Sequence, residues 1–194
     1  MKSISKGMIN FLRTCLVAAM IVFTLGCLFK NPSYPTSWPQ TTGSNDIESR
    51  IEGSFYCSGD ITESHMGLWD MKSITDFLVG GLHSPTCNYV EIRKVQPDEM
   101  EIRFMSYPDK EVMKRNYKKD GDYHVEDNWI VLKPCFSGAI ENVVVALGSV
   151  TPYLTIDVDQ GLVIRGKSTS VGLIFLLIPV GGSGTDWGRF NRKE

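Results

Sequence analysis

The chain reads as a mainly β protein: an antiparallel meander, curled into a full or partial barrel, with one short N-terminal α-helix. Three observations predict this. From Tyr89 onward apolar residues recur at every second position, in short runs. Those runs are separated by turns rich in Gly, Pro, Asp and Asn. Only one stretch, residues 65–81, repeats its apolar residues at helical spacing.

The folded part is expected to begin near Glu48. In "RIEGSFYC" the residues Ile51, Gly53, Phe55 and Cys57 alternate to one side, as in a half-buried strand. "HMGLWDMKSITDFLVGG" follows, with Leu68, Met71, Ile74, Phe77 and Leu78 on one helical face and Gly80-Gly81 as the stop. "YVEIRKV" and "EMEIRFMS", joined by "QPDE", predict a hairpin turned by proline. Residues 110–119 are basic and fit either helix or strand. "KDGD" is a tight turn, leading into "YHVE" and "NWIVLK". "PCFSG" reads as a loop. Beyond it come "NVVVALG", "YLTIDVD" and "LVIRGKS", the last two joined through Gln160-Gly161. "VGLIFLLIPV" reads as a strand buried on both faces or lining a closed sheet. "GGSGTDWG" reads as a connection that lets Trp187 and Phe190 fold back as a terminal clasp. Curling such a sheet into a barrel hides its edges.

Ahead of this domain, Lys2, Lys6 and Arg13 precede an uncharged run from Cys15 to Leu25. That is the layout of a secretory signal. A spanning helix needs about 20 apolar residues, roughly twice what this run supplies. Gly26-Cys27 closes the segment, and residues 1–27 resemble a bacterial lipoprotein signal. Thr24 stands where that class prefers leucine, and Leu25 comes one place late. Thr24 and Gly26 also suit ordinary signal peptidase, whose product is a soluble secreted or periplasmic protein.

The lipoprotein resemblance implies removal of residues 1–26, acylation of Cys27 (palmitate among the acyl groups) and anchoring to the membrane through that N-terminal lipid. Leu28 replaces the aspartate that tends to keep such proteins at the inner membrane, so the implied address is the outer membrane, periplasmic side. Residues 27–47 then form the lipidated cysteine and a flexible linker containing Pro32, Pro35 and Pro39. Residues 48–194 form a single β-rich domain.

Loss of residues 1–26 removes three basic residues and leaves 17 basic against 22 acidic ones. That balance argues against nucleic acid as a partner. An oxidising compartment permits disulfides. Cys57 falls in phase with the core face of its strand, whereas Cys87 and Cys135 both sit beside proline in loops, so Cys87–Cys135 is the expected bridge. If residues 120–126 are extended, Asp120, Asp122, His124 and Glu126 share a face that could take a divalent cation. A wet strand after a turn explains them equally.

"DVDQG" fails the EF-hand pattern, because Gly161, Leu162 and Ser168 occupy the positions that require oxygen, glycine and glutamate. "GGSGTDWG" is neither a phosphate loop nor a nucleophile elbow. No cofactor and no catalysis are expected. The expected function is that of a cell-envelope lipoprotein whose tethered domain binds a protein partner. The alternative is a lipocalin-like carrier of a small apolar ligand or lipid, with Phe104, Trp129, Phe136 and residues 171–180 lining its cavity.

Overall fold

A computed structural model describes residues 32–43, 46–62, 71–80, 85–141, 144–174 and 178–194. It is mainly β, built from antiparallel strands in two sheets. The first sheet runs β1 (Gly53–Tyr56), β3 (Tyr89–Gln96), β4 (Glu99–Ser106), β5 (Lys110–Lys118). The second runs β2 (Asp60–Ile61), β11 (Ile178–Phe190), β10 (Leu162–Ile174), β9 (Val144–Ile156), β7 (Trp129–Leu132), β6 (Tyr123–Glu126). A further strand, β8 (Cys135–Glu141), pairs with the start of β9, beyond β7. Among the described residues two helices complete the order: α1 (Ile47–Arg50) before β1 and α2 (Ile74–Val79) before β3.

One apolar core lies between the sheets. Phe55, Val90, Ile92, Ile102 and Phe104 come from the smaller sheet, and Ile130, Leu154, Ile156, Leu162, Ile164 and Phe190 from the larger; all are wholly buried. α2 adds Ile74, Phe77 and Leu78. Its start is fixed by a capping box, in which the Asp76 carboxylate accepts the Ser73 backbone N–H at 2.9 Å. The Phe77 ring lies over the sheet because two positions carry no side chain. A Cβ on Gly166 would come within 2.9 Å of this ring, and one on Gly188 within 3.0 Å.

Several expectations are corrected. The sheets do not close into a barrel. The helix occupies only Ile74–Val79 among the described residues, with Met71 buried but not helical; residues 63–70 and 81–84 lie outside the description. "PCFSG" is not a loop, because residues 135–138 pair with β9. "NVVVALG" and "YLTIDVD" contribute to one strand, since Thr151 and Pro152 continue the ladder with Lys167 and Gly166. Residues 171–180 are not one strand: 171–174 end β10 and 178–180 begin β11, paired Ile174 to Ile178. "GGSGTDWG" is strand as well, its glycines held by thirteen residues of continuous pairing with β10. The ambiguous basic stretch resolves as β5, paired with β4.

The expected linker is also partly folded. Residues 32–43 lie along the larger sheet, where Thr42 N–H donates to Ile156 O at 2.9 Å and Val158 N–H donates to Gln40 O at 3.0 Å. Tyr34 stacks edge-on against Trp38 and Trp187, with ring centroids 5.9 and 5.3 Å apart.

The expected Cys87–Cys135 bridge does not form. Cys57 is bonded to Cys87, with Cα atoms 6.1 Å apart. The β1–β3 register causes this: Tyr56 faces Tyr89, so the next residue, Cys57, meets Asn88 and donates its N–H to Asn88 O at 2.8 Å. Cys135 stays a thiol and donates to Leu78 O at 3.1 Å. Burial pushes that thiol up, against the pull of Arg115.

Candidate binding site

The larger sheet turns one face to the core and leaves the other open. On the outer face, registered rows cross β9, β10 and β11. Tyr153, Arg165 and Trp187 form one row and Thr151, Lys167 and Thr185 the next. Ser149, Thr169 and Ser183 follow, then Leu147, Val171 and Gly181. Strand alternation places these side chains together, since their neighbours Ile164, Gly166 and Leu154 point to the core.

The first rows are aromatic and cationic. The Arg165 guanidinium lies 4.3 Å from the Tyr153 ring centroid, 4.9 Å from that of Trp129 and 5.7 Å from that of Trp187. Lys167 Nζ sits 4.5 Å from the Tyr153 centroid. Ring faces thus hold both cations. Among the described residues neither has a carboxylate within salt-bridge distance, and the buried Arg165 Nε has no hydrogen-bond partner. The strand flank of this cluster is capped by the docked segment, as Trp187 Nε1 donates to Pro32 O at 2.9 Å.

Farther along, the face becomes apolar and exposed. Phe136, Leu147 and Val171 are 80%, 64% and 65% exposed. With Gly138, Ser149 and Thr169 they line a groove of about 590 Å³. β8 borders the groove and, among the described residues, pairs on one side only. Its sequence carries no charge before Glu141. The other long edge, β5, carries Lys110, Glu111, Lys114, Arg115 and Lys118, the usual defence against strand addition. β8 lacks that defence.

The predicted metal ligands are not gathered. Asp120 and Asp122 belong to the turn, not to an extended strand: Asp120 has φ +57°, and its N–H donates to Tyr123 O at 2.8 Å. Asp122 accepts the Lys118 backbone N–H at 3.1 Å and Lys133 Nζ at 3.2 Å, which together hold its carboxyl below the usual range. His124 and Glu126 are exposed on β6, 3.6 Å apart. Among the described residues no group of three His, Cys, Asp or Glu is placed to hold a metal ion. Cys27 and the signal lie outside the described residues.

The three aromatics expected to line a carrier cavity also separate. Phe104 is in the core, Trp129 is on the outer face, and Phe136 projects into solvent at the groove. Sequence reasoning passed over Arg165, Lys167 and Leu147 as site residues, and placed Val171 in an enclosed cavity instead of on an exposed face. The signal was present in "IRGKSTSV", where Arg165, Lys167, Thr169 and Val171 alternate with small or apolar residues.

The fold and face define a two-sheet antiparallel β protein with an exposed outer sheet face. No family model, no curated protein and no solved structure matches the chain.

Proposed function

We propose that this is a non-enzymatic cell-envelope lipoprotein, anchored through Cys27 at the periplasmic side of the outer membrane, whose domain binds a protein partner. The partner presents an extended apolar segment that lies along β8 and fills the groove at Phe136, Leu147 and Val171. The observation behind this reading is the exposure of those three side chains beside a strand that carries no charge before Glu141 and, among the described residues, pairs on one side only. Strand addition of this kind draws affinity from main-chain hydrogen bonds and selectivity from pockets for alternate side chains. The carrier alternative rests on a closed sheet and loses its enclosure, because the sheets do not close.

Photo-crosslinking in intact cells tests the proposal. A photoreactive residue at Val171 of the full-length chain should give one reproducible adduct with an identifiable envelope protein, and Leu147→Asp should remove it. The same reagent at Arg93, on the far sheet, should give no such band. Absence of an adduct at Val171, or an identical pattern from Arg93, would sink the proposal.

A further inference from the structure

Arg165 and Lys167 are not part of the groove, and among the described residues neither is paired with an acid. Most other cations with resolved partners on this protein are in ion pairs: Arg103 with Glu101, Lys119 with Glu48, Arg189 with Asp157. On the outer face of β9–β11, the odd-numbered described positions of 147–153, 165–173 and 181–187 bring two cations and no carboxylate, while Asp186 falls on the alternate, buried set. Tyr153, Trp129 and Trp187 surround the cations, and the exposed apolar row begins about 13 Å beyond Lys167 at the usual strand rise, past the row of Ser149, Thr169 and Ser183.

Aromatic rings, cations with no acidic partner among the described residues, and apolar side chains on one face are the components that settle at a membrane–water interface. Lys and Arg hold anionic headgroups there while Trp and Tyr rest at headgroup depth.

The path of the chain points the same way. Pro32 is tied to Trp187, on this face. Only five peptide steps separate it from Cys27, a reach of at most about 18 Å. An acyl anchor on Cys27 therefore cannot hold the domain far from the bilayer while residues 32–43 stay docked. The described chain thus starts, at Pro32, beside the face bearing Arg165.

We infer that Arg165 and Lys167, in their aromatic setting, dock the domain onto anionic phospholipid headgroups of the membrane that anchors it. The groove at Phe136 then opens at the bilayer surface, so the partner's segment is met there. The inference takes its orientation from the anchor proposed above. The docking chemistry itself does not depend on that anchor.

The test uses the full-length protein, exported, processed and purified, in a Cys135→Ser background. A dye is placed on Thr169→Cys or, as a control, on Arg93→Cys. Mass analysis of the N-terminal peptide reports acylation separately. On vesicles containing phosphatidylglycerol, spin-labelled lipid should quench the dye at 169 and not that at 93. Quenching should fall with added salt, with Lys167→Glu and with Arg165→Gln, and be weak on phosphatidylcholine alone.

If the N-terminus carries no lipid, the anchor reading fails, and co-sedimentation with the same vesicles reads docking directly. Binding should then drop roughly fivefold for each cation removed. Lys167 is exposed, so Lys167→Glu is expected to fold even if the Arg165 variant does not. Equal quenching at 169 and 93, insensitivity to Lys167→Glu and salt, or failure of unlipidated protein to sediment would overturn the inference.

Discussion

Glu101 sits on the outer face of the smaller sheet, yet is only 4% exposed. Arg103 on its own strand and Lys114 across on β5 close over it, Lys114 Nζ at 3.4 Å. Burial alone would raise this carboxyl. The hydrogen bond and charge of Arg103, then those of Lys114, outweigh it and hold the group below its usual value. A depressed folded pKa gives stability that is complete above the unfolded value of about 4.3 and lost as pH falls through the folded one. Glu101→Gln should therefore cost about 1–2 kcal/mol at neutral pH, and the gap between the two proteins should close as pH falls through the lowered folded value. Urea titrations at several pH values check this. A constant gap across pH would show that packing, not charge, is what the substitution removes. Asp157 does comparable work at the β9–β10 turn. Fully buried, it accepts the Asp159 and Gly161 N–H groups and the Arg189 Nε–H at 2.7 Å, so a turn and a strand are held through one carboxylate.

At the scale of elements, α2 is a short helix kept in place by the ring it carries. Phe77 fills the space that Gly166 and Gly188 leave open and meets Phe190 edge-on at 6.2 Å. Gly166→Ala should destabilise by about 1–3 kcal/mol through overpacking, and Phe77→Leu in the same chain should recover part of the loss. Additive losses in that double-mutant cycle would show that the two sites do not touch. Sequence and structure agree wherever local chemistry decides an element. The Ser73–Asp76 capping box sets the start of α2, a local signal that the helical spacing of residues 65–81 runs past. Pro97-Asp98 turns β3 into β4, and Asp127-Asn128, both at positive φ, turn β6 into β7. They part where pairing decides. Glycines at 181, 182, 184 and 188 erase the alternation of β11, which is strand because β10 holds it in register. The apolar run 171–180 hides the change of strand inside it, since a ten-residue hydrophobic string has no period to break.

For the molecule as a whole, the Cys57–Cys87 bridge closes a loop of 30 residues that contains α2. Replacing both cysteines with serine should cost about 3–4 kcal/mol, because the unfolded chain regains the entropy of that loop. Guanidinium unfolding measures it, and a loss below about 1 kcal/mol would show that the strands already restrain the loop. Connectivity was out of reach of the sequence, since it depends on Tyr56 facing Tyr89 across two strands. The outer face was half legible: Arg165 and Lys167 alternate correctly, but the neighbours that make them a surface come from β7, β9 and β11, and only the fold brings Trp129, Tyr153 and Trp187 to them.

The two sheets also differ in what length changes they can absorb. β3–β4 and β4–β5 each contain a register shift, at Lys94/Gln96 and Phe104/Met105, so an odd residue already has somewhere to go. β9, β10 and β11 match residue for residue over thirteen positions with no such shift. One residue inserted near the middle of β10 would turn Arg165 and Lys167 inward and Ile164 out, inverting the sheet from that point. The smaller sheet can change by ones, while the larger sheet can lengthen or shorten only by twos.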